Sequence, residues 1–322
     1  MGIVVERLQQ RSQSLYIVRP GTDAVAGLPE LIEYVEAERE KIGEMLLEAG
    51  GVLFRGFAVY ERENFMQVKD LLANRPNFNY VDGNSPRTKL PGNLYSSTEY
   101  PKEYRISLHN ELSYTNSWPG LIFFYCHIPA EKGGETPVVD CRAVLREIDA
   151  DMLDRFAQYG VKYTRFLSGR KGVGKSWMDT FETTDRSVVE AYCESNDIEF
   201  RWEGDFLFLS QIGKGVAEHP ATGEKVWFNQ ANQFHPSSLP DDIYRMLKIM
   251  HAADRRRYPQ YASFGNGDEI PEDFLKQVTE LQFEHAFKFP WDRGDVLMLD
   301  NMLMAHGRMP FAGERKIYVS MC

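Results

Sequence analysis

The chain has 322 residues, 43% of them hydrophobic, which is enough to bury a substantial core as one large domain or two small ones. Its 47 acidic side chains outnumber 37 basic ones, and the resulting charge of -10 repels a phosphate backbone and offers no polybasic membrane anchor. Nucleic acid and membrane are therefore not expected as partners. The longest apolar run, LIFFYCHI, also falls far short of the roughly 20 residues needed to cross a bilayer.

From the start of the chain, MGIVVERLQQ meets charge too early for a signal peptide, and Glu6 stands where a myristoylation signal needs Ser or Thr. A cytoplasmic protein is expected. Between about residues 29 and 49, Leu31, Val35, Ile42, Met45, Leu46 and Ala49 recur at helical spacing, with Gly50 and Gly51 as the stop. GVLFRGF then reads as a strand, and ENFMQVKDLLANRP as a helix ended by Pro76. Further helices are predicted in CRAVLREIDADMLDRFAQYG, PDDIYRMLKIMHAADRRR and PEDFLKQVTELQF. Strands are predicted in RISLHNELSY, GLIFFYCHI, TPVVD, FLFLSQI, KVWFNQ, DVLMLDN and RKIYVSM. Strands along the whole chain with helices interleaved argue for one mixed, sheet-based domain. Cys126, Cys141, Cys193 and Cys322 lack Cys-x-x-Cys spacing and read as buried thiols.

GRKGVGKS, residues 169–176, fits the phosphate-cradling pattern Gly-x-x-x-x-Gly-Lys-Ser, and VLMLD resembles the magnesium-holding strand that accompanies it. Context argues against a nucleotide-hydrolysing enzyme. Lys162 and Arg165 interrupt the strand before the loop, and WMDTFETTD after it is poor material for a long helix.

His109 and Glu111 in SLHNELSY sit two residues apart, and in a strand such residues share a face, so both reach one cation while Asn110 points away. In isolation the pair reads equally as a structural ion pair. His306, beyond the apolar strand of GDVLMLDNMLMAHGRMPFAGERKIYVSM, completes a set of two imidazoles and one carboxylate, the donor set of non-haem Fe(II) oxygenases. Arg308 and Arg315 follow, either of them suited to the far carboxylate of a chelating dicarboxylate, and Thr136 offers a hydroxyl.

These residues, with GGVLFRGF, SPRTKL, LIFFYCHIPAEKGGETPVVDC, KSWMDTF, KVWFNQ, YASFGNGDEIP and RGDVLMLDNMLMAHGRMPF in order, resemble the Fe(II)/2-oxoglutarate-dependent dioxygenases of the taurine dioxygenase superfamily. The sequence is most similar to its clavaminate synthase-like branch, which includes the syringomycin-type amino acid hydroxylases. The resemblance implies a mixed α+β fold with a double-stranded β-helix (jelly roll) core flanked by helices, one domain over 1–322, and an insertion around 145–290 between the metal-ligand strands. It also implies Fe(II) held by His109, Glu111 and His306, with 2-oxoglutarate held by Thr136 and Arg315, and O2 as the oxidant. Arg308 remains the alternative, because nine residues from His306 to Arg315 is shorter than in taurine-type members. Val319 stands where those members keep a sulfonate-binding arginine, so a sulfonate substrate is not expected.

The implied reaction is hydroxylation of an unactivated C–H bond with release of succinate and CO2. Related halogenases leave the position of Glu111 empty for chloride, so a carboxylate there favours hydroxylation, although desaturation and epoxidation use the same ligands. The implied substrate is a small molecule, an amino acid or an aminoacyl group tethered to a carrier protein in natural-product biosynthesis. Arg87, Trp227 and Asn229 are the substrate-side candidates, each with a structural role as the alternative; Arg255, Arg256 and Arg257 are the one candidate landing place for an acidic carrier, with a solvated helix end as the alternative. A catalytically inactive binding protein on the same barrel is the non-enzyme alternative. The sequence leaves oligomeric state open.

Overall fold

A computed structural model describes residues 2–11, 13–21, 26–84, 87–97, 100–170, 175–252 and 254–322. Residues 171–174 of GRKGVGKS and residues 85–86 of SPRTKL lie outside the described residues. An eight-stranded sheet runs in the order Ile3–Gln10, Gln13–Pro20, Gly51–Phe54, Val296–Asp300, Leu121–Ile128, Lys316–Met321, Leu94–Ser96 and Lys89–Leu90. Among the described strands, only Gln13–Pro20 against Gly51–Phe54 is parallel. A three-stranded sheet of Ile106–His109, Met304–Arg308 and Val138–Asp140 carries the two histidines. This is the mixed, sheet-based α+β architecture expected from the sequence, with its strands largely antiparallel.

The core explains why the central strands read as continuous apolar runs. Leu297 and Leu299 of Val296–Asp300 bury into one cluster with Leu108, Val138 and Met304 from the histidine-bearing sheet. Val296 and Met298 bury into the other with Val52, Phe54 and the helices. Both faces are thus dry, and each fully buried Leu or Val contributes about 1.5–3 kcal/mol.

All six apolar residues assigned to the first helical stretch are buried, but the stretch forms two helices, Leu28–Ala37 and Arg39–Ala49. Glu38 between them leaves helical geometry (φ -111, ψ 22) while its N–H still reaches the Tyr34 carbonyl. Hydrophobic spacing is kept across a kink, which is why spacing alone did not reveal it. The stop is as predicted, with Gly50 at φ 73, where the Cβ of any other residue would meet the Met304 side chain.

The segment 145–290 contributes a four-stranded sheet of Glu199–Glu203, Phe206–Gly213, Val161–Leu167 and Gln260–Phe264. Phe156, Trp227, Phe264 and Phe274 from this segment pack into the same cluster as the histidine-bearing strands, so it shares the central core. Val161–Leu167, the strand before GRKGVGKS, is antiparallel to both neighbours, and the helix after it, Trp177–Phe181, has five residues. Neither half of a nucleotide-binding βα unit is present there. All four cysteines are buried free thiols, as predicted, and no described helix is long and apolar enough to cross a membrane.

Buried His235 accepts the Ser237 N–H, and burial, partly opposed by Glu272, lowers its imidazole to about 4. The unfolded chain takes up a proton below about 6.5 that the folded chain refuses, so stability falls as pH drops from that value towards 4 and rises on the way back. His235→Gln should flatten this slope, sparing roughly 2 kcal/mol at pH 5. Urea unfolding at pH 7 and pH 5 checks it; an unchanged difference between the two would place the acid sensitivity elsewhere.

Candidate metal centre

His109 and His306 face each other across an antiparallel pair, their Cα atoms in register and their ring centroids 4.6 Å apart. Glu111 arrives differently from the expected strand pleat. The strand ends at His109, and Glu111 lies in the turn that follows, with Leu112 at φ 56. Side-chain amides take the backbone groups that a strand would have used. Asn301 Oδ1 accepts the Glu111 N–H at 2.7 Å, and Asn301 Nδ2 donates to the carbonyls of Glu111 and Pro119, both at 2.9 Å. Asn110 Nδ2 donates to the Asn301 carbonyl at 2.6 Å, and Gln230 Nε2 donates to the Asn110 carbonyl. The turn holding Asn301 is built by Asp300, whose Oδ1 accepts the N–H groups of Met302 and Leu303. Its Oδ2 meets His219 Nε2 at 3.1 Å. The aspartate of VLMLD is therefore a turn-capping residue.

Together these elements bring ligand atoms of His109, Glu111 and His306 within 4.8 Å of one another, all three residues buried. His109 Nδ1 lies 2.9 Å from the Ser107 carbonyl, which places the ring proton there and frees the Nε2 lone pair. His109 Nε2 and both ring nitrogens of His306 are buried with no hydrogen-bond partner among the described residues. Such atoms cost about 1–3 kcal/mol each when nothing takes them, and a cation at the centre would take His109 Nε2 and one ring nitrogen of His306. Burial, reinforced by His306, lowers His109 to about 4, and burial likewise lowers His306. For Glu111, burial pushes the carboxyl up, but the Arg87 guanidinium and the two imidazoles outweigh it and hold the group well below the usual carboxylate range. Two neutral imidazoles and an ionised carboxylate, with remaining positions open, fit Fe(II).

Asn301 was not singled out in the sequence, although an Asn directly after an apolar strand is a turn signal. Asn301→Ala should weaken metal binding roughly 10–100-fold by loosening the Glu111 turn. Mn(II) titration followed by electron paramagnetic resonance checks this, and an unchanged affinity would show that Glu111 is held without the amide.

Thr136, Arg308 and Arg315 line a narrow cavity with His109 and His306. Arg315 Nε donates to the Gly134 carbonyl at 2.9 Å and Nη1 to Ser97 Oγ at 3.2 Å, while Nη2 lies 3.5 Å from Thr136 Oγ1. Among the described residues no carboxylate pairs with Arg315. Burial, with Arg308 nearby, lowers its guanidinium to about 10, the mark of a cation awaiting a counter-charge. Arg308 instead donates to the carbonyls of Tyr100, Pro101 and Tyr104. The cavity, about 30 Å³, is water-sized, so a dicarboxylate enters only as lining side chains draw back.

Residues 17–321 match the family model described as taurine catabolism dioxygenase TauD, TfdA family. The chain belongs to this family. It is 37% identical over 281 residues to the dapdiamide synthesis protein DdaC of Enterobacter agglomerans, covering 87% of this chain and 84% of the relative. A clavaminate synthase-like protein of Arabidopsis thaliana is 28% identical over 305 residues, covering 92% of this chain and 88% of that one. In fold the chain is similar to PvcB of Pseudomonas aeruginosa, with a TM-score of 0.55 at 13% identity over 99% of this chain and 90% of the other. As a TauD-type enzyme it is a 2-oxoglutarate-dependent dioxygenase that uses Fe(II), 2-oxoglutarate and O2.

Of the substrate-side candidates in this dioxygenase, the structure brings Arg87 to the centre and leaves the other two away from it. Arg87 pairs with Glu111, so the carboxylate it holds belongs to the His109, Glu111 and His306 cluster. Tyr80, which sequence reasoning missed, donates to the other Glu111 oxygen at 3.0 Å. Trp227 corrects the expectation of an aromatic wall at the site: it is buried against Phe156 and Phe274. Asn229 is likewise committed to the backbone, donating to the Gly215 carbonyl and accepting the Ala231 N–H. The basic cluster is also partnered. Arg255 pairs with Glu269, Arg256 with Asp254, and Arg257 lies 3.7 Å from Glu203, which leaves little uncompensated charge for an acidic carrier. Val319 lines the narrow cavity as an apolar side chain.

Proposed function

We propose that this TauD-family oxygenase hydroxylates an unactivated C–H bond of a small amino-acid-like substrate, free or tethered to a carrier protein, in natural-product biosynthesis. The reading is carried by the buried His109, Glu111 and His306 cluster with its unpartnered ring nitrogens. Similarity to a protein named for dapdiamide synthesis supports the biosynthetic setting. We assign the metal to His109, Glu111 and His306, and 2-oxoglutarate to Thr136 and Arg315, with Arg308 shaping the loop beside them. Bound together, Fe(II) and 2-oxoglutarate supply the oxidation: O2 gives one atom to succinate and one to the substrate, and CO2 leaves.

The protein's own contribution is placement. Asn301 fixes Glu111, the Ser107 carbonyl fixes the His109 tautomer, and Phe124 packs edge-on to the His306 ring at 5.0 Å. The carboxylate of Glu111 occupies the position that a halide would need, which favours oxygen transfer. Incubation with isotopically labelled O2 and a panel of free and carrier-loaded amino acids tests the reading by mass spectrometry. Hydroxylation predicts one labelled oxygen in the product and one in succinate. A product lacking two hydrogens, with no added oxygen, would contradict hydroxylation in favour of desaturation.

A further inference from the structure

Tyr80 and Arg87, neither of them a member of the cluster, each hold one oxygen of the Glu111 carboxylate. They open and close the stretch 80–87, whose described residues form neither helix nor strand. A stretch without ladder bonds keeps one geometry only where contacts from elsewhere fix it.

Asp82 supplies those contacts. Its carboxylate is fully buried and takes a two-point pair from Arg165, Nη1 to Oδ1 at 2.6 Å and Nη2 to Oδ2 at 3.1 Å. Its N–H donates to the Thr180 carbonyl at 3.0 Å, and its own carbonyl accepts the Tyr114 hydroxyl at 2.6 Å. Every polar group of the residue is therefore used. Its φ of 67 is left-handed, a conformation that costs a non-glycine residue free energy and persists where the surroundings impose it. Beyond it, Lys175 donates to the Gly83 carbonyl, and Asn84 Nδ2 donates to Gln260 Oε1 at 2.7 Å. Arg165, Lys175, Thr180 and Gln260 all come from the segment 145–290, and Gln211 of the same segment braces Arg165 by accepting from Nη2 at 3.1 Å. Exchanging a buried ion pair for apolar side chains is often neutral for stability, so the contribution of Arg165 and Asp82 lies in fixing the loop against the segment.

Gly83 closes the turn onto Tyr80. A Cβ at this position would overlap the Tyr80 ring and stand 2.5 Å from its hydroxyl oxygen, and the ring is buried, so it has little room to swing aside. The phenol that reaches Glu111 is thus seated on a bare Cα. Resting on the metal centre assigned under the proposed function, we infer that Asp82 and Arg165 are positioning residues for that centre. The segment 145–290 acts through this buried pair and the turn at Gly83 to set Tyr80 and Arg87, and through them the Glu111 carboxylate.

The metal-free protein is titrated with Mn(II) by electron paramagnetic resonance, with thermal unfolding recorded on the same samples. Asp82→Asn combined with Arg165→Met removes the pair without leaving a lone buried charge. It should weaken Mn(II) binding about ten-fold or more and change the spectrum of the bound ion. Gly83→Ala leaves every charge in place and should have both effects by displacing the Tyr80 ring. Val35→Ala, in the other core cluster, should lower the melting temperature while affinity and spectrum stay as in the wild type. Wild-type affinity and spectrum in either loop variant, once folded, would overturn the inference. An equal loss of affinity in Val35→Ala would overturn it too, because general stability would then explain the result. A wild-type protein that binds no Mn(II) would instead count against the proposed function.

Discussion

Glu111→Ala is expected to abolish succinate formation, and to do so by removing metal rather than by unfolding the site. The substitution deletes the only carboxylate in the cluster and leaves Arg87 as a buried cation, since both side chains of that pair are about 4% exposed. Breaking a buried pair in this way costs about 3–5 kcal/mol of stability. A second change separates the two effects. Glu111→Ala with Arg87→Met should recover much of the lost stability while metal binding and turnover remain absent. Thermal unfolding together with Mn(II) titration reads both quantities. Full turnover by the single variant, or metal binding restored in the double variant, would show that Glu111 is not a ligand.

The second large effect separates the two arginines. Arg315 lies beside Thr136 with no carboxylate partner among the described residues, so Arg315→Gln should raise the KM for 2-oxoglutarate by roughly 10²-fold or more, the scale of an unpaired buried carboxylate. Arg308 holds three loop carbonyls, so Arg308→Gln should lower the melting temperature and change that KM much less. Initial rates of succinate formation at varied 2-oxoglutarate give both values. The reverse ranking would move the co-substrate carboxylate to Arg308.

The two effects draw on features that were unequally legible in the sequence. The helices, the core strands and the cluster of His109, Glu111 and His306 follow from apolar periodicity and from donor chemistry, because those signals are local or compositional. The route by which Glu111 reaches the centre was not legible. It depends on Asn301, 190 residues away, taking both backbone groups of Glu111. Tyr80 was missed for the same reason, its only signal being a hydroxyl in a loop. Trp227 and Asn229 were misplaced because the short strand Lys225–Trp227 turns Trp227 into the shared central core and Asn229 beyond it bonds to backbone, and a short strand's inward face depends on what packs against it. GRKGVGKS pointed to phosphate when read alone; the antiparallel strand before it and the five-residue helix after it lack the βα frame that a nucleotide loop needs.

The central claim is that His109, Glu111 and His306 converge on one ferrous ion beside a 2-oxoglutarate site. Anaerobic titration of the metal-free protein with Fe(II) and then 2-oxoglutarate addresses it directly. The account predicts a weak visible charge-transfer absorption that saturates at one equivalent of each, is lost in His306→Ala, and is unaffected by ATP. A wild-type protein that binds neither ion nor keto acid, or a His306→Ala variant with the full absorption, would contradict it.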